Sequence, residues 1–89
     1  MTIWSPTVSH MVTNPSQTQA VATIVVGTMD AKNVSVKALA ETTGISRSTL
    51  SRRLTGHSPF TINELDAIAE TFGLKASDIM AQADARRAA

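Results

Sequence analysis

The chain has 89 residues, no cysteine and a formal net charge of +1. Its length gives one small domain, near the limit at which a single core suffices without help, so oligomerisation is expected. The missing cysteines exclude disulfides and thiolate metal sites, no apolar run is long enough to span a membrane, and the start lacks a secretory pattern; a soluble cytoplasmic protein is expected.

The small net charge hides an uneven distribution. Residues 31–60 carry Lys32, Lys37, Arg47, Arg52 and Arg53 against Glu41, five cations to one anion and a balance of +4. Residues 61–84 carry Glu64, Asp66, Glu70, Asp78 and Asp84 against Lys75, five anions to one cation and a balance of −4. A domain with one basic and one acidic face still steers toward a polyanion through the basic one. The acidic residues themselves read as a solvated face.

Residues 1–15, with two prolines and no helical periodicity, read as an arm or extended segment ahead of a domain of residues 16–89. Trp4 in that arm is expected to pack on the core or on a second subunit. Ser16 and Gln19 have the spacing of a capping box, and Val21, Ile24, Val25 and Thr28 follow at helical spacing. The β-branched run VATIVVGT, closed by Gly27, would also serve as a buried strand, but a helix is the preferred reading. Ser35 caps a second helix with Val36, Leu39 and Ala40 on one face, stopped by Gly44. Ser46 caps a third, in which Leu50 and Leu54 form the buried edge, and Gly56 ends it. Thr61 and Glu64 open a fourth with a capping box and an apolar stripe of Ile62, Leu65, Ile68, Ala69 and Phe72, closed by Gly73. Ile79, Met80 and Ala83 mark a last helix, with Arg86 and Arg87 offsetting the dipole in its final turn. The expectation is an all-α fold, a compact bundle of about five short helices.

Two short helices joined at a glycine turn are too common to identify a DNA reader. The side chains decide. With Leu50 and Leu54 inward, Arg47, Ser48, Ser51, Arg52 and Thr55 take the outer and leading surface of the third helix. All five can donate hydrogen bonds, and no acid lies between Gly44 and Phe60. Arginine's planar fork matches the two major-groove acceptors of guanine, and hydroxyls serve phosphate or base edges. A helix entering the major groove leads with its first residues, which makes Arg47 and Ser48 the leading candidates for base contact, followed one turn later by Ser51 and Arg52. Lys37, with the free N–H groups at the start of its helix, is placed to grip a phosphate.

The stretch LAETTGISRSTLSRRLTGHSPFTINELDAIAETFGL resembles the Cro/repressor type of helix-turn-helix domain, the Xre-like group of phage and bacterial transcriptional regulators. The match runs from about Ser35 to Ile79 and links several features: Ala40 at the helix crossing, Gly44 in the turn, Ile45 and Leu50 in the core, Gly56 after the reading helix, and INELDAIAETFGL as the next helix. The resemblance implies a lambda-repressor-like bundle with 36–43 and 46–55 as the helix-turn-helix, and base-reading positions at Arg47, Ser48, Ser51 and Arg52. It places His57 and Ser58 in a loop that touches DNA. Arg53 stands where a larger apolar residue is frequent and is expected to join Lys37, Thr55, His57 and Ser58 as phosphate contacts. Two further positions depart from the pattern: Val36 replaces a frequent glutamine, and Lys75 a frequent serine cap.

The expected partners are a double-stranded DNA operator and a second copy of the chain; no cofactor, metal, membrane or small-molecule ligand is expected. The implied function is transcriptional regulation, of the phage or prophage repressor type. An enzyme is not expected, because no acid and base pair, metal set or glycine-rich phosphate cradle is evident. A protein-interaction module (antirepressor or adaptor), a recombination factor and an antitoxin stay open, since a fold alone does not prove function.

Overall fold

The computed structural model describes residues 16–88; the expected arm of residues 1–15, Trp4 included, lies outside them. Five helices and no strand are found among the described residues: α1 (Gln17–Lys32), α2 (Val36–Thr43), α3 (Arg47–Leu54), α4 (Ile62–Thr71) and α5 (Ala76–Ala88).

At the start of α1, Ser16 Oγ accepts the Gln19 N–H at 3.1 Å. The Gln19 side chain does not complete a capping box. It packs instead against Gly56, where an added Cβ would lie 3.1 Å from Gln19 Cγ. The helical reading of VATIVVGT holds, and the strand alternative closed by Gly27 does not. Val21, Val25 and Met29 form one buried stripe at four-residue spacing that carries α1 past Gly27 to Lys32. Termination falls to Asn33, in the left-handed conformation (φ 59°), with Asn33 N–H donating to Asp30 O and Val34 N–H to Met29 O.

The next four helices share a start. Ser35, Ser46 and Thr61 each turn a side-chain oxygen onto the N–H three residues on, at 3.0, 3.2 and 3.1 Å. Lys75, which has no such oxygen, is served in reverse: Asp78 Oδ2 accepts the Lys75 N–H at 2.8 Å. An apolar residue precedes each of these positions (Val34, Ile45, Phe60, Leu74), and a buried one follows four residues after it (Leu39, Leu50, Leu65, Ile79). All eight belong to or pack against one core, in the arrangement of a hydrophobic staple.

Each helix contributes one fully buried large side chain to that core: Val25, Leu39, Leu50, Ile68 and Ile79. Helix α1 lies along α5 and against α3; α2 packs on α3 and α4; α4 packs on α5. Two expected core positions differ. Leu54 is only half-buried, so Leu50 anchors α3. Ile62 is 84% exposed, because the apolar stripe of α4 begins a turn later at Leu65, and Phe60 covers the core from the loop before the helix.

Gly27 sits mid-helix with nothing within 4 Å of an added Cβ. Gly27→Ala is therefore expected to stabilise the fold by about 0.5–1 kcal/mol. A urea-denaturation midpoint that stays put or falls would show that this position serves something other than helix stability.

Candidate nucleic-acid interface

The turn between α2 and α3 is set by backbone requirements. Gly44 takes a left-handed conformation (φ 79°), and its N–H donates to Ala40 O at 2.9 Å. A side chain is disfavoured at that φ. Ile45 N–H donates to Thr43 Oγ1 at 3.3 Å, and Ser46 then caps α3, which makes Arg47 the first helical residue. Leu50 is fully buried on the inner side of α3. Arg47, Ser48, Ser51 and Arg52 are all exposed, as is Lys37 in the first turn of α2.

Lys37, Arg47 and Arg52 form no salt bridge or side-chain hydrogen bond with any described residue; the ion pairs found are Arg53 with Glu64 and Arg87 with Asp84. Cations left unpaired on a surface keep their full field for an incoming anion. Ser48 Oγ lies 3.5 Å from Ser46 Oγ. Thr55 Oγ1 lies 3.1 Å from the carbonyl oxygens of Ser51 and Arg52 and 2.8 Å from His57 Nδ1. Thr55 and His57 are both exposed.

Arg53 and Ser58 stand apart from the other expected phosphate contacts. Arg53 Nε donates to Glu64 Oε1 at 2.9 Å, Nη2 to Glu64 Oε2 at 3.3 Å, and Nη1 to Ser58 Oγ at 2.6 Å. The guanidinium expected to reach a phosphate is thus turned onto an internal carboxylate and hydroxyl. Glu64 Oε1 also accepts the Thr61 N–H at 2.9 Å, so one carboxylate both boxes the start of α4 and holds the end of α3. The Arg53 hydrogen bonds hold the Glu64 carboxyl below the usual carboxylate range, with the Thr61 N–H adding to the effect against partial burial. Arg53 is shifted further upward, first by the same hydrogen bonds. The capping-box spacing located Glu64, but its bond to Arg53 crosses a loop and had no local signal. The one hint was an arginine at a position where apolar residues are frequent.

That loop closes by main chain as well. Gly56 is left-handed (φ 82°), Gly56 N–H donates to Arg53 O, and His57 N–H donates to Arg52 O, both at 3.1 Å. This double closure fixes the departure of the chain from α3. Among the described residues no group of three or more His, Cys, Asp or Glu side chains could hold a metal ion, and no helix is long and apolar enough to cross a membrane.

Residues 28–82, which span this whole arrangement, match the Cro/C1-type HTH DNA-binding domain. The chain belongs to that family. The Cro/C1-type family is one of DNA-binding domains rather than of enzymes, and DNA is the partner it implies. Two solved structures of the clp gene regulator ClgR from Corynebacterium glutamicum share the fold of this Cro/C1-type chain. One matches with a TM-score of 0.78 at 21% identity, covering 84% of this chain and 80% of its own. The other matches with a TM-score of 0.75 at 20% identity, covering 83% and 95%. No curated protein matches the sequence.

Because Glu64 titrates below its ordinary value near 4.5, its share of stability is complete above that value and is lost as pH falls through the lower folded value. Glu64→Gln keeps a capping side chain but removes the charge. It is expected to be less stable than the parent at pH 7 and to close that gap as the pH falls below about 4.5. Urea midpoints measured from pH 7 to pH 2.5 check this; a gap independent of pH would remove the ion pair as its cause.

Proposed function

We propose that this chain is a sequence-specific, double-stranded DNA-binding regulator of transcription that represses by occupying an operator and excluding polymerase, in the manner of a phage or prophage repressor. The observation that carries the proposal is the surface around α3. Three cations with no described partner, Lys37, Arg47 and Arg52, surround exposed hydroxyls on the second helix of a helix-turn-helix. Arg47 and Ser48 lead into the groove, and Ser51 and Arg52 read one turn later. Lys37, Thr55 and His57 hold the phosphates. The ClgR neighbours are regulators of clp genes, which supports a regulatory role.

The protein acts in the cytoplasm as a domain of residues 16–89 preceded by an arm. It works as a homodimer, with two copies of α3 about 34 Å apart facing successive major grooves of a near-palindromic site. Selection from a randomised duplex pool, with the enriched complexes weighed, tests this directly. Enrichment of a two-fold symmetric sequence bound by two subunits supports operator and dimer together. One half-site bound by one subunit discards the dimer. No enrichment at low salt discards DNA reading and favours a protein-interaction module.

Arg47→Ala is expected to cost about 1–3 kcal/mol on the selected duplex and little on random DNA. Equal losses on both would make Arg47 a phosphate ligand. Lys37→Ala is expected to weaken both duplexes and to flatten the salt dependence by about one contact; an unchanged slope removes Lys37 from the backbone contacts.

A further inference from the structure

We infer that Arg53 and Glu64 are positioning residues for the DNA-reading surface: their ion pair fixes the rear of α3 and the loop that carries His57, and it withholds the Arg53 guanidinium from the phosphates. The inference rests on the DNA-binding reading above and names a part of the interface that does its work without touching DNA.

Backbone packing leaves this end of α3 to be held by side chains. Helix α3 lies against α1 and α2 but not against α4 at backbone range. The Arg53–Glu64 bridge spans that interval, with the two side chains 19% and 17% exposed. Its geometry ties four points together. Arg53 is in the last turn of α3, Ser58 is in the loop, Thr61 is the cap of α4, and Glu64 is in its first turn. The three donors of Arg53 and the Thr61 N–H converge on Glu64 and Ser58, so residues 53–64 form a closed ring of hydrogen bonds. His57 lies inside this ring in sequence and is further held through Thr55 Oγ1.

A loop ordered before binding loses less conformational freedom when it meets a ligand. The benefit is greatest where contact requires register, on a specific sequence, and least on random DNA, where many registers serve. A planar, bidentate pair is suited to such a task, because a guanidinium holds both carboxylate oxygens and a third acceptor at once, whereas an ammonium cannot reproduce that fork. The competing reading is that Arg53 leaves Glu64 and binds a phosphate. The two readings give opposite signs when Glu64 is neutralised.

The test uses Glu64→Gln and Arg53→Lys in the full chain, the selected duplex, a random duplex of equal length, and amide exchange without DNA. As positioning residues, both variants are expected to lose about three- to tenfold in affinity for the selected duplex while random-duplex binding and the salt slope stay unchanged. Exchange at Gly56 and His57, whose N–H groups close the loop onto α3, should accelerate in both variants while the core amides of Ile79 and Ala83 stay protected. If Arg53 is a phosphate ligand, Glu64→Gln tightens binding to both duplexes and steepens the salt slope by about 0.9, and Arg53→Lys behaves like the parent; that result overturns the inference. Unchanged exchange in the loop overturns it as well. If the parent binds neither duplex, the DNA reading fails and the positioning role with it, while the exchange data still decide whether the ring orders the loop.

Discussion

An eight-residue helix does not hold its shape in water, since isolated helices shorter than about 12–15 residues are marginal even with good formers. Helices α2 and α3 are both of that length. Their geometry is therefore imposed from the ends and from one buried anchor each, Leu39 and Leu50. The cap fixes where each helix starts, and the staple of a preceding and a following apolar residue fixes its angle to the core. For α3 this has a direct functional reading. With Ser46 as cap and Ile45 and Leu50 tied to the core, Arg47 and Ser48 have no freedom to face anywhere but out.

The two ends of α3 are secured by different chemistry. At the front, backbone conformation and a serine hydroxyl suffice, because α2 packs alongside. At the rear, a glycine turn sets the path of the chain while a charged pair sets its position against α4. This use of charge takes one cation out of the basic half and one anion out of the acidic half, leaving Lys32, Lys37, Arg47 and Arg52 to supply the field. Steering and structure thus draw on the same residue types but on separate positions.

The helix count, four of the caps and the helix-turn-helix itself were legible because each is encoded within five or six residues. The same short range explains the misreadings. The β-branched run closed by Gly27 also fitted a strand, and what separates the two is the buried stripe of Val21, Val25 and Met29, which runs through it at helical spacing. Ile62 fitted the period of its helix, but period cannot tell whether any neighbour covers the first turn. Lys75 lacked a capping oxygen, and the remedy lay three residues on, in Asp78. Arg53 and Glu64 are eleven positions apart across a loop, so no local pattern in the sequence joins the two. Partnership at that separation is a property of the folded chain.

The pairing of α1 with α5 joins the first described helix to the last, and Gln17 at its edge bonds both Asp84 at 3.3 Å and Arg87 at 2.8 Å. During synthesis, then, α1 leaves the ribosome without its main partner and must wait for nearly the whole domain to follow. The nearest-neighbour contacts of α2 with α3 and of α4 with α5 require no such wait, so the slow, entropy-limited event is the return of α5 to α1. Until that closure, part of the stripe of Val21, Val25 and Met29 lacks its cover, so the half-made chain exposes more apolar surface than the finished one.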